Sequence, residues 1–404
     1  MLYKVRVNNY KSLASVVVEL GPFNVLVGPN GAGKSNFVDA LRFVSDCLRD
    51  SVAQALRSRG NIGVVRRHSR GHPTNIGFRL LIQSPEVGSA EYAFELKAEQ
   101  KAEQQARFAV KRERCIVEPY EPLGGRRQHR YEVENGVFTH PVPDIRPRIE
   151  SDTLALPILS ALEEFRPLHN FLTGMHFYAL SPERIRELQE PDPGLVLNRD
   201  GSNAAAVLRE IARQRPKDYD RLCRLLSKVV PGTTRAEYFP QGQIETIRFK
   251  QDVGDTAPWN FSALNMSDGT LRVLGILLAV YQVSQSSFIA IEEPEATIHP
   301  GALEILVDIL RDGARRSQTL ITTHSPDILD NKDIKDDELR LVTSKKGITK
   351  VAPLAENSRG IIRDHLYTAG ELLRMSELSP DIKREEELAR QLSLFGSPQV
   401  PAQN

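Results

Sequence analysis

Cysteine is scarce in this chain, and net charge is scarcer. Cys47, Cys115 and Cys223 stand far apart, with no CxxC pair and no zinc-ligand spacing. That excludes a disulfide framework and a cysteine metal site. It leaves three small apolar side chains for the core and fits a reducing, cytoplasmic compartment. The formal net charge is +1, so no global field draws the chain to nucleic acid or membrane, and any such attraction must come from local patches. The longest apolar run, Val273 to Tyr281, is far shorter than the roughly 20 residues a membrane span needs; it reads as a buried helix. The opening MLYKVRVNNYKS alternates like a strand and has no continuous apolar stretch of the kind a secretory signal carries. No heptad pattern is sustained and no repeat recurs, so a long coiled-coil arm and a solenoid are excluded. What remains is a 404-residue chain with 26% charged residues, enough for one large or two ordinary globular domains.

Four motifs stand in order on this background. GPNGAGKS occupies residues 28–35, NMSDGT 265–270, FIAIEEPE 288–295 and TTHSP 322–326. The patterning around them predicts strands at 2–8, 15–19 and 23–27, then the glycine loop. A helix is expected from Lys34 to about Leu56, with Phe37, Val38, Leu41, Val44 and Leu48 on one face. Residues 76–82, 91–97, 106–117 and 129–134 read as an antiparallel sheet with one solvated face. A proline-rich connection at 141–150 leads to helices at 155–172, 203–214 and 217–229. Strands at 234–239 and 243–250 return to the second half of the core. The domains expected are an α/β core from 1–75 and 255–352, a β subdomain at 76–150, a helical lobe with return strands at 151–254, a helical extension at 353–380 and a flexible tail at 381–404.

Each motif suits one piece of phosphate chemistry. GPNGAGKS fits GxxxxGK[ST] in full, between a strand and a helix. Gly28, Gly31 and Gly33 let backbone wrap a phosphate closely. Pro29, Asn30, Ala32 and Asn36 complete the loop and the first helical turn, whose N–H groups face the anion. Lys34 can reach the β- and γ-phosphates, and Ser35 offers a hydroxyl to Mg²⁺. An apolar strand should end in Glu292 and Glu293, the first holding Mg²⁺ and the second orienting the attacking water. His324, at the end of another apolar stretch, can bond the γ-phosphate or that water. Ser267, Asp268 and Gly269 open a helix from Thr270 to about Val283. That start reads either as a helix cap or as a second phosphate site. Because the chain already has one phosphate loop, the second reading implies a nucleotide held by another copy.

Together the motifs resemble those of ABC-type ATPases, in particular the RecF/SMC/OLD-like branch that acts on DNA. GPNGAGKS resembles its Walker A, NMSDGT its signature loop, IAIEEPE its Walker B with catalytic glutamate, His324 its switch histidine, and Glu295 to Pro300 its D-loop region. The resemblance is strong over 1–45 and 260–330 and weaker over the insert. It implies the fold of a P-loop ABC-type ATPase head with an antiparallel β subdomain and a helical lobe inserted in the core, ATP and Mg²⁺ as cofactors, and an ATP-dependent head-to-tail homodimer. In that dimer Lys34, Ser35, Glu292, Glu293 and His324 act in one copy, and Ser267 and Gly269 act across the interface. Three departures stand out. The signature reads SDGT, the first Walker B acid is Glu292 where aspartate is usual, and FYALSPER (177–184) has no Q-loop glutamine. Gln83 and Gln189 are the alternatives.

The remaining features bear on partners. Arg57, Arg59, Arg66, Arg67 and Arg70, with His68 and His72, occur in an acid-free, glycine-rich stretch. It either contacts DNA, serves the ATP site or is solvated. Arg126, Arg127 and Arg130 form a weaker cluster. Asp330, Asp333, Asp336 and Asp337 sit in a polar turn, where a nuclease metal site is not expected. An ATPase without its own nuclease points, by analogy, to a separately encoded effector. Gln391, Leu392, Leu394 and Phe395 lie in QLSLF, which resembles the pentapeptide that docks on the bacterial DNA sliding clamp; Leu388, Leu392 and Phe395 also lie at the spacing of the end of an amphipathic helix. Three classes compete: a DNA-associated ATPase in genome maintenance or defence, the ATPase subunit of an effector complex that binds no DNA, and a transporter subunit. The long insert and the altered signature disfavour the last.

Overall fold

The computed structural model describes residues 1–67, 75–99, 107–120, 127–142 and 147–397. Its strands, in chain order, are β1 (Leu2–Tyr10), β2 (Leu13–Glu19), β3 (Phe23–Val27), β4 (Ile76–Ser84), β5 (Gly88–Glu99), β6 (Arg107–Glu118), β7 (His129–Glu134), β8 (Val137–His140), β9 (Met175–Tyr178), β10 (Thr233–Gln241), β11 (Ile244–Gln251), β12 (Trp259–Ser262), β13 (Phe288–Glu292), β14 (Gln318–Thr323), β15 (Leu339–Lys345) and β16 (Ile348–Pro353). Thirteen of these form one sheet in the order β8-β7-β6-β5-β4-β1-β2-β16-β15-β3-β14-β13-β9, and β10-β11-β12 form a second.

Two sheet styles meet in the large sheet, and sequence pattern explains both. From β15 through β9 neighbouring strands run parallel. Residues of β13 alternate between two cores: Phe288 and Ala290 join one, Ile289 and Ile291 the other. A strand apolar on both faces must be covered on both. One cover includes the helix Lys34–Arg49; the other includes the helices Ala204–Gln214, Asp268–Tyr281 and Leu303–Ala314.

The β4 to β8 stretch is antiparallel, as its alternation predicts, but β4 pairs with β1. The β subdomain therefore continues the core sheet. Its outer face is also not simply solvated. The helix Ile382–Gln391 packs on β2 and β16, Leu388 and Leu392 pack with Val17 of β2 and Leu81 of β4, and Leu394 continues over Gly77 of β4. The expected flexible tail is thus ordered and docked through residue 397, and residues 398–404 lie outside the described residues.

Two long helices of the sequence reading are broken. The first ends at Arg49, because Ser51 adopts an extended backbone and caps a new helix, Val52–Arg57, by accepting from Gln54 N at 3.1 Å. The stretch 155–172 divides into Leu156–Leu159 and Arg166–Thr173. The first piece is pinned by Glu113 of β6, whose fully buried carboxylate accepts from the N–H groups of Ala155 and Leu156 and from Tyr92 and Tyr131. Burial pushes its pKa upward, so this clamp between subdomain and lobe depends on those four donors.

Candidate nucleotide site

Parallel pairing of β3, β14 and β13 brings three loops to one edge of the sheet, at the carboxyl ends of the strands. Gly28 follows β3, Glu293 follows β13 and His324 follows β14. Backbone bonds stitch these ends together: Gly28 N donates to Thr323 O at 3.3 Å, and Glu293 N donates to Thr322 O at 3.1 Å.

The glycine loop is shaped by what lies behind it. A Cβ on Gly28 would meet the carbonyl oxygen of Val342 at 2.2 Å, and one on Gly33 would meet Thr349 Oγ1 at 2.1 Å. Gly31 is free of such contact but has φ +75°, which favours glycine. Thr349 Oγ1 donates to Ala32 O at 2.8 Å and touches Ser12 Oγ, while the Asn36 amide donates to that same Ser12. Asn36 is thus engaged behind the loop. Pro29, Asn30 and Ser35 are exposed at its front.

The following helix, Lys34–Arg49, has no side-chain cap and no acid in its first turn. Its leading N–H groups are left for an anion. The Lys34 side chain folds back, donating to Gly28 O at 2.7 Å and Pro29 O at 3.2 Å. Burial holds its pKa below the ordinary lysine value, with Glu293 and Glu295 opposing.

The acids and the histidine meet here. His324 Nδ1 lies 3.1 Å from Glu293 Oε1. Glu293 has φ +44°, a left-handed conformation that costs an ordinary residue about 1 kcal/mol or more. Thr322 holds it there through both its carbonyl and its hydroxyl, the latter 3.2 Å from Glu293 N. Glu295 is 8% exposed, and burial raises its pKa. One of its oxygens accepts from Thr323 Oγ1; the other, Oε2, is buried without a partner. Glu292 accepts from Arg199 at 3.0 Å. Sequence reasoning missed Arg199, Thr322, Thr323, Thr349 and Ser12. The two threonines did lie inside the TTHSP motif that marked His324.

The second candidate half-site is built differently. Ser267 caps the helix Asp268–Tyr281, accepting from Thr270 N at 3.3 Å and touching Thr270 Oγ1 at 2.9 Å. Asp268 pairs with Arg186, which also donates to Met266 O at 3.1 Å. A Cβ on Gly269 would meet Thr297 O at 2.7 Å. Glycine is required here by close approach within one chain. Ser267 remains exposed.

The other sequence candidates divide. Arg59 is nearly buried and paired with Asp39 and Asp46, so it braces the fold and is removed from the basic stretch. Arg66 and Arg67 bridge to the Asn9–Tyr10 turn through backbone, and neither side chain enters an ion pair among the described residues. His68, Arg70, His72 and Arg126 lie outside the described residues. Arg130 pairs with Glu132. Asp330 binds Arg374 and Thr368, and Asp336 binds Arg359 and Arg363. Gln189 is buried within the lobe, bonded to Ile185 O and Ala205 N.

The QLSLF segment is seated on its own sheet. Leu392 is 1% exposed, Leu394 packs over Gly77, and Phe395 lies 4.6 Å beneath the Arg112 guanidinium. These anchors are engaged within the chain.

A glycine cradle, an uncapped helix and strand-end acids on a parallel sheet define the head of an ABC-type ATPase of the RecF/SMC/OLD branch. The sequence profile of the family described as "AAA domain, putative AbiEii toxin, Type IV TA system" matches residues 23–330, and the chain belongs to that family. Among curated proteins, Old nuclease of Escherichia phage P2 is 24% identical over 361 residues, covering 82% of this chain and 57% of its own length. Structural maintenance of chromosomes protein 4 of Schizosaccharomyces pombe is 45% identical over 64 residues, 14% of this chain and 5% of that protein. The chain thus spans less than two thirds of each of these relatives.

Solved structures agree in fold. An Smc head bound to the C-winged helix domain of ScpA superposes with TM-score 0.56 and 16% identity, covering 89% of this chain and 99% of that one. An Smc head with an extended coiled coil, bound to the C-terminal domain of ScpA and derived from Pyrococcus furiosus, gives TM-score 0.51 and 15% identity over 90% of this chain and 99% of that one. Among the described residues no helix is long and apolar enough to cross a membrane.

Proposed function

We propose that this chain is a Mg²⁺-dependent ATP hydrolase that pairs head to tail with a second copy around nucleotide and couples hydrolysis to separation of the pair. The observation that carries the reading is the convergence of Lys34, Glu292, Glu293 and His324 at one sheet edge, fed by parallel strands. The residues fit the nucleotide and its metal: the cradle has no room for side chains behind Gly28 and Gly33, and the helix start is open. When bound, Mg²⁺·ATP supplies the electrophilic terminal phosphorus and a cation that offsets its charge.

The chain's own groups do the rest. Lys34 would exchange the loop carbonyls for β- and γ-phosphate oxygens, and Ser35 and Glu292 would hold the metal. Glu293 orients the attacking water and takes its proton, positioned by Thr322 and paired with His324. Ser267, exposed beside the 60% exposed Leu264, offers its hydroxyl to the nucleotide of the other copy. Asp268 is engaged by Arg186.

A DNA-linked role, in maintenance or anti-phage defence, rests on Arg66 and Arg67 and on what the relatives are. A sliding clamp and a separately encoded effector are further partners to test. Replacing Glu293 by Gln should cut ATP turnover about 100-fold or more and trap an ATP-dependent dimer in sedimentation. A variant that stays monomeric with ATP bound would sink the paired model. DNA-stimulated turnover that falls with salt and with Arg66→Ala/Arg67→Ala would place the chain on DNA; unstimulated turnover favours the effector subunit.

A further inference from the structure

Arg199 is an unexpected neighbour of the strand-end acids. It comes from the insert, 93 residues from Glu292 in sequence, and its guanidinium donates to Glu292 Oε1 at 3.0 Å. Glu292 is therefore neutralised by an arginine at the place where a metal would need it. The pair is loosely held on the arginine side: Arg199 is 51% exposed. It opens onto a cavity of about 400 Å³ that Arg42, Arg49 and His176 also line.

Its backbone, by contrast, is fixed. Arg199 O accepts from Ala179 N and Asp200 O from Ser181 N, both at 3.0 Å. Asn203 Oδ1 accepts from Asn198 N, and Gly201 turns the chain at φ +85°. The side chain can swing while the turn carries any force it feels.

That turn leads to the second half-site. Asp200 pairs with Arg184 at 3.4 Å. Arg184 shares the short helix Pro182–Arg186 with Arg186, which grips Asp268 and Met266 O on either side of Ser267. A path in which polar contacts alternate with short stretches of backbone thus runs from the metal-side acid to the loop that would face the other copy.

We propose that Arg199 is a γ-phosphate-sensing residue: it holds Glu292 while the nucleotide site is empty, exchanges Glu292 for the terminal phosphate of ATP, and through its turn and Arg186 adjusts the Ser267 loop for pairing. This rests on the ATP-binding reading above. The exchange keeps charges matched. Glu292 is released to a cation as Arg199 gains a phosphate oxygen, the anion that a guanidinium binds best in a fork geometry. ADP brings no γ-phosphate, so Arg199 stays with Glu292.

The test is binding, with no need of turnover. In the Glu293→Gln background with Mg²⁺, fluorescent ATP and ADP analogues are titrated and pairing is followed by sedimentation. Arg199→Ala should lower ATP affinity about tenfold, leave ADP affinity unchanged, and weaken pairing about tenfold, magnitudes of one charge-assisted contact. Arg199→Lys should fall between. The unchanged ADP affinity guards against misfolding. Arg186→Ala should weaken pairing while sparing the ATP-to-ADP ratio of the unpaired chain, and the double variant should pair no worse than the weaker single. An unchanged ATP-to-ADP ratio in Arg199→Ala overturns the proposal and leaves the ATPase reading standing. Failure of the parent to bind either nucleotide removes both.

Discussion

Two helices begin at the two candidate phosphate sites, and their first turns are opposites. The helix at Lys34 has no cap, no acid, and a lysine folded onto its own loop. The helix at Asp268 is capped by Ser267, carries an acid in its first turn and has that acid tied to Arg186. The first leaves its leading N–H groups open to an anion. The second is already satisfied within its chain. A site of the first kind binds alone; one of the second kind adds a hydroxyl to a charge already neutralised elsewhere. The difference argues for an order of events, with nucleotide captured by the glycine loop first and the Ser267 loop joining afterwards.

The largest expected effect breaks the open site. Lys34→Ala should weaken ATP and ADP binding about 100-fold, since it removes a charge-assisted contact in a buried setting. Titration with fluorescent nucleotide reads it directly, and near-normal affinity would mean that the loop does not hold phosphate.

The closed site should respond differently. Ser267→Ala should leave ADP binding to the single chain unchanged and weaken ATP-dependent pairing about tenfold. It should also cost about 1 kcal/mol of stability through the lost cap. Mixing Lys34→Ala chains with Ser267→Ala chains separates the two halves. Such a mixed pair has one intact composite site and should hydrolyse ATP faster than either variant does alone. Equal loss of ADP affinity in Ser267→Ala would erase the contrast between the helices.

The same contrast bears on what could be read before the fold was known. The open loop was legible because its chemistry is local: glycines, a lysine and a serine in eight residues between strand and helix. Glu293 and His324 were legible because each ends an apolar strand. The supports were not. Thr349 and Val342 explain Gly33 and Gly28 from strands more than 300 residues away, and Arg199 reaches Glu292 across the insert. No local pattern carries such pairs. The closed helix start gave an ambiguous signal because a good cap and a phosphate site use the same residue types. The tail was ambiguous for another reason. The residue types that suit a docking peptide also suit the end of an amphipathic helix, and Leu388 and Leu392 seal a small apolar cluster against Val17 and Leu81.

The smallest effect concerns that tail, and it should touch stability alone. Arg6 donates to the carbonyls of Ala389 and Leu392, Arg79 to those of Ser393 and Ser397, and Arg112 stacks on Phe395. Leu392→Ala should cost about 2 kcal/mol, the low end for a buried leucine because its cluster is small. Phe395→Ala should cost about 1 kcal/mol through the lost stacking and covered area. Thermal unfolding should therefore shift by a few degrees, with nucleotide affinity unchanged. A seated tail also competes with any partner for the same anchors: a sliding clamp should bind an isolated peptide containing Gln391 to Phe395 more tightly than it binds the intact chain. Equal affinity for both, together with an unshifted melting point in Leu392→Ala, would mean that the segment is free in solution and the docked arrangement does not govern its availability.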